Sequence, residues 1–270
     1  MPPLAPTPPH ADPSAPPRKP LAVWLGGTIG WDDYVAMAER LAGEVAEPVG
    51  RNPTLVICEL APRITIGRAG SRADVRLSDD ELRSHGLGIT FTGRGGGAVL
   101  HGPGQVTVAL VAPLVDLGFA SHDVGGYVAA FEGAVARAIR TVRCGAALHP
   151  GVHGVFGRRG LLAAIGIAVR RGVACHGASV NVSPPLDLHQ RIDTLPPRLL
   201  GDLPGGPSSS VMGSIEADVQ RRVRLQDVRT ALVESLADAF AVPRIHMNAG
   251  FPYRLHPAIP NQPEVVSRVG

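Results

Sequence analysis

The sequence predicts an α+β fold, a mixed β-sheet core with flanking helices, and three observations carry that prediction. Apolar residues recur at helical spacing in three separated segments. Several short β-like runs follow one another between those segments, so the order is not a strict strand-helix alternation. Finally, 44% of the 270 residues are apolar, enough for a real core in one large domain.

The elements can be taken in order. Residues 1–20 carry nine prolines and read as a disordered Pro-rich tail, because prolines at this density remove backbone donors and leave nothing to bury. An apolar run at Leu21–Leu25 opens the folded part, read as residues 21–242. Tyr34, Ala38, Leu41 and Val45 then fall on one helical face, with Asp32 and Asp33 in the first turn and Pro48 as the stop. Short β-like runs follow at Leu55–Leu60, Arg63–Gly67 and Gly88–Thr92, with an acidic turn at Ser78–Leu82. A glycine-rich stretch, Gly93–Gly104, leads into a buried strand at Val106–Val111. A second long helix carries Val124, Val128, Phe131, Val135, Ala138 and Val142. Three more β-like runs come at Val152–Phe156, Leu161–Val169 and Val173–Val182. Residues 183–210, rich in Pro, Gly and Ser, read as a long loop of the functional or disordered kind. A last helix carries Leu225, Val228, Leu232, Leu236 and Phe240, and residues 243–270 read as a C-terminal tail.

Composition narrows the function classes. A formal charge of +3 with 18% charged residues gives no footprint for nucleic acid. The longest apolar stretch, Leu161 to Val169, is about half a membrane span and contains Gly166, so no membrane partner is expected. The N-terminus lacks the apolar h-region of a signal peptide. Cys58, Cys144 and Cys175 are odd in number and lack C-x-x-C spacing, which suits a reducing, cytoplasmic setting and leaves no cysteine-based metal site. No cofactor is expected. Of the 26 basic residues only Lys19 is a lysine, and it stands in the tail.

Two segments could carry chemistry. In Gly93-Arg94-Gly95-Gly96-Gly97-Ala98-Val99-Leu100-His101-Gly102-Pro103-Gly104-Gln105, the glycines let backbone approach a ligand and Arg94 can fork onto a carboxylate or phosphate. It is neither a Walker loop nor a dinucleotide fingerprint. In Gly166–Val182, two β-like runs are joined by Arg170-Arg171-Gly172. Period-2 geometry puts Cys175, Gly177, Ser179 and Asn181 on one face and His176, Val180 and Val182 on the other, so Cys175 and His176 do not form a nucleophile-base pair. The bland readings are a turn histidine at His101, a structural His176 bonded from the back of its strand, a buried Asn181 satisfying backbone, and a solvated Arg170-Arg171 turn able to receive an acidic carrier.

These residues carry a resemblance. Gly93–Gln105 resembles the R-G-G-x-x-x-x-H-G-P-G-Q signature of the lipoyl(octanoyl) transferases, and Ile165–Val182 resembles their L-G-x-x-x-R-R-G-x-x-x-H-G-x-x-x-N-V segment. Upstream, Cys58–Arg68 is similar to their E-x-x-P-x-x-T-x-G strand pair, and Pro150-Gly151-Val152 to a later P-G-V. The resemblance implies the fold of the biotin/lipoate protein ligase catalytic domain. It implies transfer of octanoyl from octanoyl-acyl carrier protein to a lysine of lipoyl domains, those of 2-oxoacid dehydrogenases or the glycine-cleavage H protein, through a cysteine thioester whose thiol is activated by a lysine.

Carried over by position, the acyl-binding residues are Arg94, Gly95, Gly96, Gly97, Ala98, Val99, Leu100, His101, Ala164, Ile165, Gly166, Gly177, Ala178 and Ser179. The chemistry positions differ. The family's lysine falls on Leu161. Its cysteine falls on Leu195 by an ungapped count from Asn181, or on Pro204 when counted back from Val211–Ile215. Cys175 is the remaining thiol near the site, and Ser208, Ser209 and Ser210 offer hydroxyls without an evident base. An ATP-dependent ligase would need the same missing lysine. The sequence therefore supports an octanoyltransferase-like protein, with a catalytically degenerate paralogue that binds an acyl or lipoyl group without turnover as the alternative.

Overall fold

A computed structural model describes residues 18–47, 49–195 and 212–254. Its main sheet has eight strands in the order β11-β1-β2-β6-β10-β9-β8-β7. In chain order these are β1 (Leu21–Ile29), β2 (Thr54–Leu60), β6 (Gln105–Pro113), β7 (Ala147–His149), β8 (Val152–Gly157), β9 (Gly160–Arg170), β10 (Val173–Asn181) and β11 (Ile245–Ala249). Strands β11, β1 and β2 run parallel and the remaining neighbours antiparallel, so the sheet is mixed as the element order predicts. A second sheet places β3 (Arg63–Ile66) between β4 (Ile89–Phe91) and β5 (Ala98–His101).

Helices cover both faces of the main sheet. Helix α3 (Val124–Thr141) and the last helix, α6 (Leu225–Ala239), bury Phe131, Val135, Val228 and Leu232 against one face. Asp123 caps α3 by accepting from the Gly126 amide at 2.9 Å. Helix α1 (Trp31–Ala46) lies on the other face, and its four predicted apolar positions are buried together with Trp31 and Met37. Three short helices, α2 (Asp79–Ser84), α4 (Leu186–His189) and α5 (Ile215–Val219), occupy connections.

Several sequence-based boundaries need correction. Strand β5 lies inside the stretch read only as glycine-rich, because Ala98–His101 are all buried against β3. Residues 245–249, read as tail, form β11 and pair with Leu21–Leu25. That strand is mostly exposed and is held by backbone pairing, which leaves no alternating pattern to read. The segment read as a long loop from 183 holds α4 and an antiparallel bridge from Ile192 to Val75. The remainder of that loop up to 211, with Pro204 and Ser208–Ser210, lies outside the described residues, as does most of the N-terminal tail. Among the described residues no helix is long and apolar enough to cross a membrane.

Candidate functional site

The β9-β10 hairpin turns at Arg171-Gly172 with φ of 50° and 76°, the left-handed pair of a two-residue turn. That turn fixes the register and brings Gly166 opposite Gly177 and Ala164 opposite Ser179. The Gly95–Gly97 loop packs onto this hairpin. The Gly95 amide donates to Ile167 O at 2.8 Å, and Gly96 has φ +79° with Ile165 O where a Cβ would stand. A side chain at 96 would be strained and would also clash.

Arg94 enters the space that Gly166 leaves open; a Cβ on Gly166 would sit 2.8 Å from Arg94 Cδ. Its guanidinium donates to Thr65 O (3.0 Å), Thr65 Oγ1 (2.7 Å), Gly97 O (3.0 Å) and Gly95 O (2.9 Å). Burial lowers its pKa to about 10, which still leaves it charged, and none of these partners is a carboxylate. A buried cation therefore faces the pocket uncompensated.

His101 stands at the end of β5 with both ring nitrogens engaged, Nε2 at 2.9 Å from Thr65 Oγ1 and Nδ1 at 3.3 Å from Ser179 Oγ. Its ring stacks on Trp31 at 5.7 Å. Burial first, then the charge of Arg94, hold its pKa well below the usual histidine range, so the imidazole is neutral. Behind it, Gln105 donates through Nε2 to Leu100 O and to Asn181 Oδ1, and Asn181 Nδ2 donates to Gly213 O. The predicted local role of Asn181 thus extends to joining β10 to the segment after 211.

The structure corrects the reading of His176. It adopts φ 62°, a left-handed conformation that histidine tolerates better than most residues, and this breaks the strand's alternation. His176 therefore lines the same pocket as Ser179, stacked near-parallel to Trp31 with centroids 6.3 Å apart and its Nδ1 3.4 Å from the Tyr34 hydroxyl. Gly177 goes to the opposite side, where a Cβ would meet Val108 O and Phe131. Burial, with Arg94 and Arg170, lowers the His176 pKa to about 4.

Of the residues expected to bind an acyl group, Arg94, Val99, His101, Ala164, Gly166, Gly177, Ala178 and Ser179 surround one pocket. Gly95 and Gly97 hold the Arg94 guanidinium through their carbonyls and Gly96 lies against Ile165 O; Ala98 and Leu100 pack into the core of the small sheet, and Ile165 packs on the far face of the main sheet. The pocket is also lined by Trp31, Tyr34, Leu60 and Thr107, which carry no motif. In the sequence Tyr34 reads only as part of the apolar face of α1, and Trp31 is not singled out at all. Cys175 is not part of the pocket wall: it packs with Ala168 and Val173, its Sγ contacts Ala168 O at 3.6 Å, and burial raises its pKa. All three thiols are buried, and burial pushes Cys58 to about 12 and Cys144 to about 11, so none is a ready nucleophile.

Leu161 and Leu195 are both buried in one apolar cluster with Val99, Phe156, Ala164 and Met212. The Gly213 amide donates to Leu161 O at 3.0 Å, which ties the segment after the loop to β9. Val99 and Ala164 belong to both the cluster and the pocket, so the two lie side by side.

Residues 33–237 match the model of the lipoyl protein ligase A/B catalytic domain. The chain belongs to that family. It is 31% identical to an octanoyltransferase of Geotalea uraniireducens over 79% of this chain and 92% of that one. It is 30% identical to an octanoyltransferase of Roseiflexus over 82% and 86%. In fold it is similar to a lipoate-protein ligase A bound with ATP, with a TM-score of 0.64 at 18% identity over 86% of this chain and 90% of that one. A bi-partite lipoate protein ligase from Thermoplasma acidophilum superposes equally well, with a TM-score of 0.64 at 16% identity over 87% and 88%. The mixed sheet with flanking helices is thus the lipoate protein ligase fold, and the chain is an octanoyltransferase-like protein of this family.

Proposed function

We propose that the protein moves an octanoyl group from acyl carrier protein to a lipoyl-domain lysine in lipoate biosynthesis, in a cytoplasmic setting. The observation that carries the reading is the pocket itself, in which Arg94, His101 and Ser179 converge beside small residues, in a chain whose relatives are octanoyltransferases. Of the fourteen positions assigned by resemblance, the eight that line the pocket, Arg94, Val99, His101, Ala164, Gly166, Gly177, Ala178 and Ser179, are proposed as the acyl-binding shell. The pocket has about 30 Å³ of free space for water-sized probes, so an octanoyl chain requires it to widen. Each buried CH₂ then stabilises the complex by roughly 0.8 kcal/mol.

One observation favours a second reading, binding without turnover. Leu161 and Leu195 supply neither an amine nor a thiol, so no thioester forms at either position. The experiment that separates the two mixes the protein with octanoyl-loaded acyl carrier protein and an apo lipoyl domain and follows intact masses. Octanoyl on the lipoyl domain supports transfer. Octanoyl that stays bound to the protein without reaching the domain supports binding alone.

A further inference from the structure

The family's nucleophile position is apolar, yet the pocket holds a hydroxyl with a base. Ser179 Oγ lies 3.3 Å from His101 Nδ1, His101 Nε2 lies 2.9 Å from Thr65 Oγ1, and Thr65 Oγ1 accepts from Arg94 Nη2 at 2.7 Å. All four side chains are buried. We propose, on the transferase reading, that Ser179 accepts the octanoyl group as an oxyester, with His101 taking its proton.

The tautomer follows from the network. The Thr65 oxygen has two lone pairs, one filled by Arg94, and the other accepts the His101 Nε2 proton. That leaves the Nδ1 lone pair facing Ser179. Thr107 adds an independent sign of a ligand. It pairs with Ser179 across β6 and β10, lines the same pocket, and its buried Oγ1 has no hydrogen-bond partner. A buried hydroxyl left unpaired is costly, and an acyl oxygen beside Ser179 would satisfy it. Burial and the Arg94 charge keep His101 neutral with its Nδ1 lone pair free, so it holds the serine proton only in passing before the carrier thiolate takes it.

The steps balance. Ser179 Oγ bonds to the thioester carbonyl carbon as its proton passes to His101 Nδ1; the C–S bond breaks, and the carrier thiolate takes that proton. The lipoyl lysine amine then attacks the ester. The C–N bond forms, the C–Oγ bond breaks, and a proton from the amine returns through His101 to Ser179.

The test measures octanoyl transfer to a lipoyl domain, and octanoyl on the protein itself, for wild type, Ser179→Ala, Ser179→Cys and His101→Gln, each shown to be folded by circular dichroism. The expected result is a loss of at least about a hundredfold in Ser179→Ala and His101→Gln. Ser179→Cys is expected to restore transfer, with an adduct that neutral hydroxylamine cleaves, whereas the wild-type adduct resists it. Wild-type transfer in Ser179→Ala, or an adduct mapped to Cys175, overturns the proposal and leaves the transferase reading standing. An adduct on Ser179 without delivery to the lipoyl domain keeps the proposal and removes that reading. Absence of both adduct and transfer in the wild type removes both.

Discussion

Leu161 and Leu195 pack in a single buried apolar cluster, 0% and 5% exposed, on β9 and after α4. The resemblance assigns the family's lysine to Leu161 and its cysteine to Leu195 or Pro204, and Leu161 and Leu195 share this cluster. What the cluster provides instead is packing. Leu161→Ala and Leu195→Ala are each expected to lower stability by about 2–5 kcal/mol. Because the two share one cluster, the double variant should depart from additivity by more than about 0.5 kcal/mol. Urea denaturation of the four-protein cycle checks this, and strictly additive losses would show that the side chains do not share a cavity.

The same cluster predicts what restoring the chemistry would do. Leu195→Cys alone should carry a thiol above the free value of about 8.5, because it is buried. Adding Leu161→Lys should lower it, since an ammonium within the cluster favours the thiolate. Iodoacetamide reactivity against pH measures both, and identical profiles would place the two positions out of reach of each other.

Acid should destabilise the fold through its buried histidines. The His176 pKa falls from 6.5 to about 4 in the native state, and burial lowers His101 and His189 as well. Below about 6.5 the unfolded chain binds protons that the native state refuses, so stability falls as pH drops through this window. His176 alone contributes about 3 kcal/mol of that loss by pH 4. Denaturant midpoints that stay level from pH 7 to 4 would contradict the burial of these rings.

Thr107→Val removes an unpartnered buried hydroxyl at nearly constant shape. Stability should hold or rise by about 1 kcal/mol. Octanoyl transfer should fall all the same, because the ligand's carbonyl loses its donor. Calorimetric unfolding beside the transfer rate separates the two effects.

Gly166→Ala tests the seat of Arg94. The added methyl would stand 2.8 Å from a side chain held by four hydrogen bonds, so Arg94 cannot simply swing aside. Overpacking of this kind costs about 1–3 kcal/mol. Binding of an octanoyl thioester, followed by Trp31 fluorescence, should weaken with it.

Much of this was legible from residue spacing. The apolar face of α1, the β9-β10 hairpin with its Arg171-Gly172 turn, and both long helices over α3 and α6 follow from periodicity and turn chemistry. The face of His176 was not, because a single left-handed residue inside β10 breaks the period-2 rule on which that reading rests. Trp31, Tyr34 and Thr107 reach the site through packing, and nothing in their local sequence marks a ligand, whereas Thr65 stands at the threonine of the E-x-x-P-x-x-T-x-G match and its place beside His101 shows only in the fold. The choice between Leu195 and Pro204 stayed open in sequence because it depends on where the loop gains residues. Leu195 falls in the cluster around Leu161, and Pro204 lies outside the described residues.

The most direct test of the account is the intact mass of an apo lipoyl domain after incubation with this protein and octanoyl-loaded acyl carrier protein. A gain of one octanoyl group, dependent on the protein, is the predicted result. A lipoyl domain of unchanged mass, with octanoyl held on the protein, would contradict it.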